Sequence, residues 1–227
     1  MFLIGSKNEE EIKDCEIFIN DKKRNFSYYY NFENEGNYTI KYLFKKKFKS
    51  TNYMFFQCYS LISLDLSKFN TQNVYDMKCM FNNCSSLISL NLSNFNTQNV
   101  YYMNSMFNGC NSLISLDLSN FNTQNVIQMP CMFESCSSLI YLDLSKFSTQ
   151  KVRNMDSMFY NCCSLISLNL SNFNTENLSG IDYMFYDCHS LISLDLPNFN
   201  TQNIGDMDNM FSGCNSLFYK NIINIYD

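Results

Sequence analysis

The chain has 227 residues, 46 % of them hydrophobic, with 16 lysines and arginines against 21 aspartates and glutamates for a formal charge of −5. With Arg24 and Arg153 as its only arginines, it lacks the extended basic face that nucleic acid requires. No apolar run approaches the ~20 residues of a membrane span, and Met1–Gly5 is shorter than the ~7–15-residue apolar region of a secretory signal, so a soluble, unexported chain is expected.

Residues 1–14, charged and aperiodic from Lys7 to Asp14, read as a flexible arm. Strand alternation begins at Cys15. Phe26, Tyr28, Tyr30 and Phe32 share one face at period two, as do Tyr38, Ile40, Tyr42 and Phe44. Polar turns at 20–23 and 33–36 would join strands 16–20, 25–32 and 37–44 into an antiparallel meander. Such a sheet buries little alone, so residues 15–50 are expected to form an N-terminal β cap on the unit that follows, in preference to a separate ligand-binding module. Lys45, Lys46, Lys47 and Lys49 read as a solvated linker before a lipid or phosphate contact.

From residue 51 to 216 one unit repeats. Its first leucine recurs at Leu61, Leu87, Leu113, Leu139, Leu165, Leu191 and Leu217, a constant step of 26 (87 − 61). A fixed period of this size marks a solenoid, in which no unit buries its apolar face without its neighbours. Within each unit the leucines 61, 64 and 66 have the LxxLxL spacing of a leucine-rich-repeat strand, with Ser63 and Asp65 facing out. Met77, Met80, Phe81 and Cys84 follow at i, i+3, i+4, i+7, which predicts a short helix over 77–82. Pro130 fits the first turn of that helix, and the Asn83 column (Gly109, Ser135, Asn161, Asp187, Gly213) fits a left-handed residue after it. The expected fold is an α/β repeat solenoid with a parallel sheet on one face and short helices on the other. Residues 217–227 would be a closing strand or cap, or a self-association face at the C-terminal end.

Candidate chemistry is sparse. Seven cysteines, Cys58 to Cys214, keep the 26-residue step and read as a buried thiol column, with bridging between adjacent turns as the rival. The methionine stripe reads as core before metal groove. His189 is the one histidine, and the register sets Cys163 beside it. A Cys-His nucleophile, or zinc shared with Cys162 and Cys188, is the class-distinct alternative to an exposed variable position. Asp65, Asn91, Asp117, Asp143, Asn169 and Asp195 form an outward row that reads as a solvated ladder, not a calcium site. The asparagines at Asn70, Asn96, Asn122, Asn174 and Asn200 and the threonines at Thr71, Thr97, Thr123, Thr149, Thr175 and Thr201 read as polar ladders serving turn backbone. No cofactor motif is present.

The unit LxxLxLSxFxTxxVxxMxxMFxxCxx resembles the 26-residue repeat of BspA-type leucine-rich-repeat surface proteins, over Tyr53 to Leu217. The resemblance implies a leucine-rich-repeat solenoid that binds proteins, in bacterial members often as a surface adhesin; the missing export signals suggest an intracellular scaffold instead. The expected function is non-enzymatic protein binding. Its surface would be the sheet face of Ser63, Asp65, Ser89, Asn91, Ser115, Asp117, Tyr141, Asp143, Ser167, Asn169, Ser193 and Asp195.

Overall fold

A computed structural model of the protein describes residues 4, 5, 7, 9–195 and 209–217. The expected C-terminal strand or cap beyond Leu217 lies outside the described residues. The architecture is mostly sheet, with parallel sheets, a small antiparallel one and almost no helix.

The chain begins with one helical turn, α1 (Glu9–Ile12). Within 1–14, read from the sequence as an arm, Ile4 and Ile12 are fully buried and the Gly5 N–H donates to the Met54 carbonyl. Three strands follow, β1 (Glu16–Ile19), β2 (Lys22–Arg24) and β3 (Ile40–Leu43), antiparallel in the order β2-β1-β3. The expected meander is therefore corrected. Asn20 and Asp21 both adopt positive φ, 48° and 63°, and close a two-residue hairpin that returns the chain at Lys22. The aromatic stretch 25–32 is thus not the second strand. Its rings pack as a connection instead, Phe26, Tyr30 and Phe32 lying on the small core of Cys15, Ile17 and Ile19. On the other side Tyr42 meets Phe55 edge-on at 5.7 Å and Phe44 meets Phe69 at 5.3 Å, joining this sheet to the first repeat.

In the repeats, β4 (Ser63–Asp65) pairs parallel with β5 (Ser89–Asn91), and β6 (Tyr141–Asp143), β7 (Ser167–Asn169) and β8 (Ser193–Asp195) pair likewise. Every register partner lies 26 residues on, as Leu64 to Leu90. Residues 115–117 are not strand, so the parallel ladder is two sheets rather than one.

Among the described residues the predicted helices are absent. Over 77–84 the chain is a run of tight turns in which Met80, Asn82 and Cys84 N–H donate to the carbonyls of Met77, Cys79 and Phe81. The alternate N–H groups, of Met77, Cys79, Phe81 and Asn83, donate to Tyr102, Asn104, Met106 and Asn108 in the next repeat at 2.7–2.9 Å. An α-helix consumes its N–H groups internally and cannot make such bonds. Positive φ at Cys79 (53°) and Asn83 (60°) supplies the alternation, and Ser105, Gly109, Cys131, Ser135, Ser157, Asn161 and Asp187 repeat it. Pro130 is tolerated for a different reason than the one inferred from sequence. In its column the N–H groups of Lys78 and Asp156 donate to the Asp76 and Asn154 side chains of their own repeat and not to the backbone of the next, so proline there keeps the alternate backbone bonds between repeats.

The core is built in columns. Phe55, Phe81, Phe107, Phe133, Phe159, Phe185 and Phe211 stack with centroids 5.4–5.8 Å apart. A buried threonine ties each repeat to the next: Thr97 Oγ1 donates to the Asn122 carbonyl (2.9 Å) and accepts from the Asn122 N–H (2.7 Å), and Thr71, Thr123 and Thr149 do the same. The hydroxyl thus satisfies two backbone groups at once.

Candidate functional site

The outward face of the parallel strands is set by their alternation. Leu64, Leu142, Leu168 and Leu194 point into the core, which leaves Ser63, Asp65, Ser89, Asn91, Tyr141, Asp143, Asn169 and Ser193 exposed. Ser167 is half-buried. Ser115 and Asp117 are exposed although their segment is not strand, and the side chain of Asp195 lies outside the described residues.

Each described acidic or amide member of this row also has a local task. Asp65 accepts from the Ser67 N–H at 2.9 Å, Asp117 from Ser119 and Asp143 from Ser145 at the same distance, and Asn91 and Asn169 accept from Ser93 and Ser171 at 3.1 Å. These are Asx turns that close the strand. They explain why Asp and Asn alternate in one column, since both bring an Oδ1 acceptor. The same bonds favour the charged form, so the serine N–H holds the Asp65, Asp117 and Asp143 carboxyls below their usual range. The face therefore carries fixed carboxylates on pre-set rotamers.

Sequence reasoning missed the neighbouring column. Ile62, Ile88, Ile114, Ile140, Ile166 and Ile192 are each 43–54 % exposed. Backbone bonds from the Ile88, Ile140, Ile166 and Ile192 N–H groups to the isoleucine carbonyl one repeat back, 2.8–3.2 Å long, hold Ile62 beside Ile88 and Ile114 through Ile192 side by side. The signal in the sequence was an isoleucine kept at one position of every repeat without a place in the LxxLxL core.

In the alternative pair, Cys163 and His189 each have a partner other than one another. Cys163 Sγ donates to Asn161 Oδ1 at 2.9 Å, while His189 Nδ1 lies 2.7 Å from the Asp187 carbonyl and its Nε2 3.9 Å from Asp187 Oδ1. Burial, with Asp187 nearby, pushes the Cys163 thiol up, away from the thiolate a nucleophile needs. Among the described residues no three His, Cys, Asp or Glu side chains are grouped to hold a metal.

The cysteine column is a set of free thiols, with no disulfide among the described residues. Cys84, Cys110, Cys136, Cys162 and Cys188 donate S–H to the phenylalanine carbonyl of the preceding repeat, 3.0–3.2 Å away. Burial raises the Cys110, Cys136 and Cys162 thiols far above their ordinary value. Among the described residues no helix is long and apolar enough to cross a membrane.

The family described as Mycoplasma protein of unknown function, DUF285, matches residues 49–164 and 138–225. The chain belongs to the DUF285 family. The two matches together span the described repeats. No curated protein and no solved structure matches the chain.

Proposed function

We propose that this DUF285 chain is a non-enzymatic protein-binding module, a leucine-rich-repeat-like solenoid whose strand face presents Ser63, Asp65 and their copies to a protein partner. The constant 26-residue offset of the parallel pairs and the LxxLxL burial pattern support the solenoid. The observation that carries the binding role is the row of carboxylates fixed by Asx turns, because acceptors already held in one rotamer lose little entropy on docking. An acidic row selects a partner with lysine or arginine at matching spacing and steers it during encounter. The resemblance to BspA-type surface proteins favours a partner at the cell surface, as for an adhesin.

The test uses Asp117→Asn and Asp143→Asn together, which remove charge and keep the Oδ1 acceptors. Proteins of the native host retained by the immobilised full chain should be lost from the double variant while it still unfolds cooperatively, at a somewhat lower midpoint at neutral pH because the charge that stabilises the Asx turns is gone. An identical retained set, or loss of retention only together with loss of fold, would count against the reading. Protease treatment of intact cells separates a surface adhesin, which is cleaved, from an internal scaffold, which is protected.

A further inference from the structure

The isoleucine column stands apart from the Asp row and does no visible work in the core. A single half-exposed isoleucine is ordinary on a protein surface, but six at one position of successive repeats, the residue just before each strand position, make an apolar row, or ridge, that backbone bonds join from Ile62 to Ile88 and from Ile114 to Ile192. From this ridge we infer a docking surface for a second copy of this chain, ridge against ridge, about a two-fold axis parallel to the direction in which the repeats stack.

Three features choose that occupant. The first is period. The isoleucines recur once per repeat, at strand spacing of ~4.8 Å within each bonded run, and a two-fold axis along the stack brings each isoleucine against its own counterpart. An unrelated partner would need the same period by coincidence.

The second is charge. Asp65 lies three residues beyond Ile62, roughly 10 Å along the strand. The axis along the stack carries the two Asp rows to opposite flanks of the joined ridges. An axis along the strands would set carboxylate against carboxylate, and the carboxylates stay ionised because of the serine N–H groups they accept from. Electrostatics therefore selects one of the two face-to-face arrangements, and that arrangement leaves both Asp rows open to a partner.

The third is area. At their observed exposure the six isoleucines, with Tyr141 beside Ile140, offer on the order of 600 Å² per copy, which puts the pair at the lower boundary of specific interfaces. The dimer is accordingly reversible, with dissociation in the micromolar range. Tyr141 stands where the other described repeats carry serine and is 53 % exposed, so it is the aromatic anchor near the middle of the ridge.

Sedimentation equilibrium of the full chain from about 1 µM to several hundred µM spans this range of affinity. A concentration-dependent monomer–dimer transition is expected, unchanged or strengthened by salt because the contact is apolar. Ile140→Thr keeps a β-branched residue on the strand and, by symmetry, changes the contact twice; it should raise the dissociation constant by about tenfold or more. Tyr141→Ser installs the residue of the sibling repeats and should raise it several-fold, which keeps the test decisive even if Ile140→Thr fails to fold. A wild-type chain that stays monomeric throughout would reduce the ridge to packing between neighbouring strands and overturn the inference. So would a dimer that both variants leave intact, since it would form through another face.

Discussion

Replacing Thr97 by valine tests whether the repeats are held together by the threonine hydroxyls. Valine keeps the shape and the burial but removes the group that donates to the Asn122 carbonyl and accepts from its N–H. Each lost hydrogen bond costs about 1 kcal/mol net, and up to about 3 kcal/mol where a backbone group is left dry. Asn122 is an exposed residue, so water reaches part of its backbone and the lower figure applies. The expected loss is about 2 kcal/mol, a fall of roughly 1 M in the urea midpoint for a slope near 2 kcal/mol/M. The structure also provides an internal control. Thr51 is equally buried, but among the described residues its Oγ1 has no hydrogen-bond partner. Thr51→Val should be neutral, or stabilising by up to about 1 kcal/mol, because it removes an unsatisfied polar group. Equal effects at the two positions, or a Thr97→Val midpoint within error of wild type, would refute the assignment of the ladder as the tie between repeats.

Three further outcomes follow from the geometry. At Gly109, with φ +71°, an added Cβ would stand 2.5 Å from Asn83 Oδ1, so Gly109→Ala should cost about 1–2 kcal/mol or more in chemical denaturation, whereas Asn161→Gly at the same column should change little. The Asp117 carboxyl is depressed in the folded chain, so the stability it contributes is present above the unfolded value near 3.9 and is lost as pH falls through the folded value. Asp117→Asn accepts the Ser119 N–H at every pH. Its urea midpoint relative to wild type should therefore rise as pH is lowered below about 4. Finally, a thiol reagent should modify Cys84, Cys110, Cys136 and Cys162 only as fast as the chain opens, which hydrogen exchange of the same segments would measure independently; labelling within seconds would contradict their burial.

What could be read from the sequence was what repeats and points inward. The leucines at 61, 64 and 66 and the Phe81 and Cys84 columns are buried where the 26-residue register puts them. The helix over 77–82 could not be told from a turn wall, because Met77, Met80, Phe81 and Cys84 face the core in either case. What decides between them is where the alternate N–H groups go, and those bonds join residues 25 apart that carry no pairwise mark in the sequence. Positive φ at Cys79 and Ser105 was equally hidden, since neither residue type advertises it, whereas the Asn83 column with Gly109 and Gly213 did. The hairpin at Asn20-Asp21 was legible as a turn, yet the period-two aromatics of 25–32 imitate a strand when they only cover one. At the candidate site the outward Ser and Asp positions followed from alternation. The turn-closing role of Asp65 and its copies lay in the serine two residues later, and the exposure of Ile62 lay outside the strand's alternation, because Ile62 precedes the strand Ser63–Asp65.

The bonds between repeats run along the direction in which the repeats stack, and this gives the chain a mechanical character. Tension applied at the two ends opposes those bonds one repeat at a time, as in unzipping, instead of shearing a whole sheet at once. Each 26-residue unit that peels away would lengthen the chain by roughly 80–90 Å, its extended length less the ~4.8 Å it spanned in the stack. Pulled from its two ends, such a chain should lengthen in equal steps of about one repeat, which single-molecule extension would record.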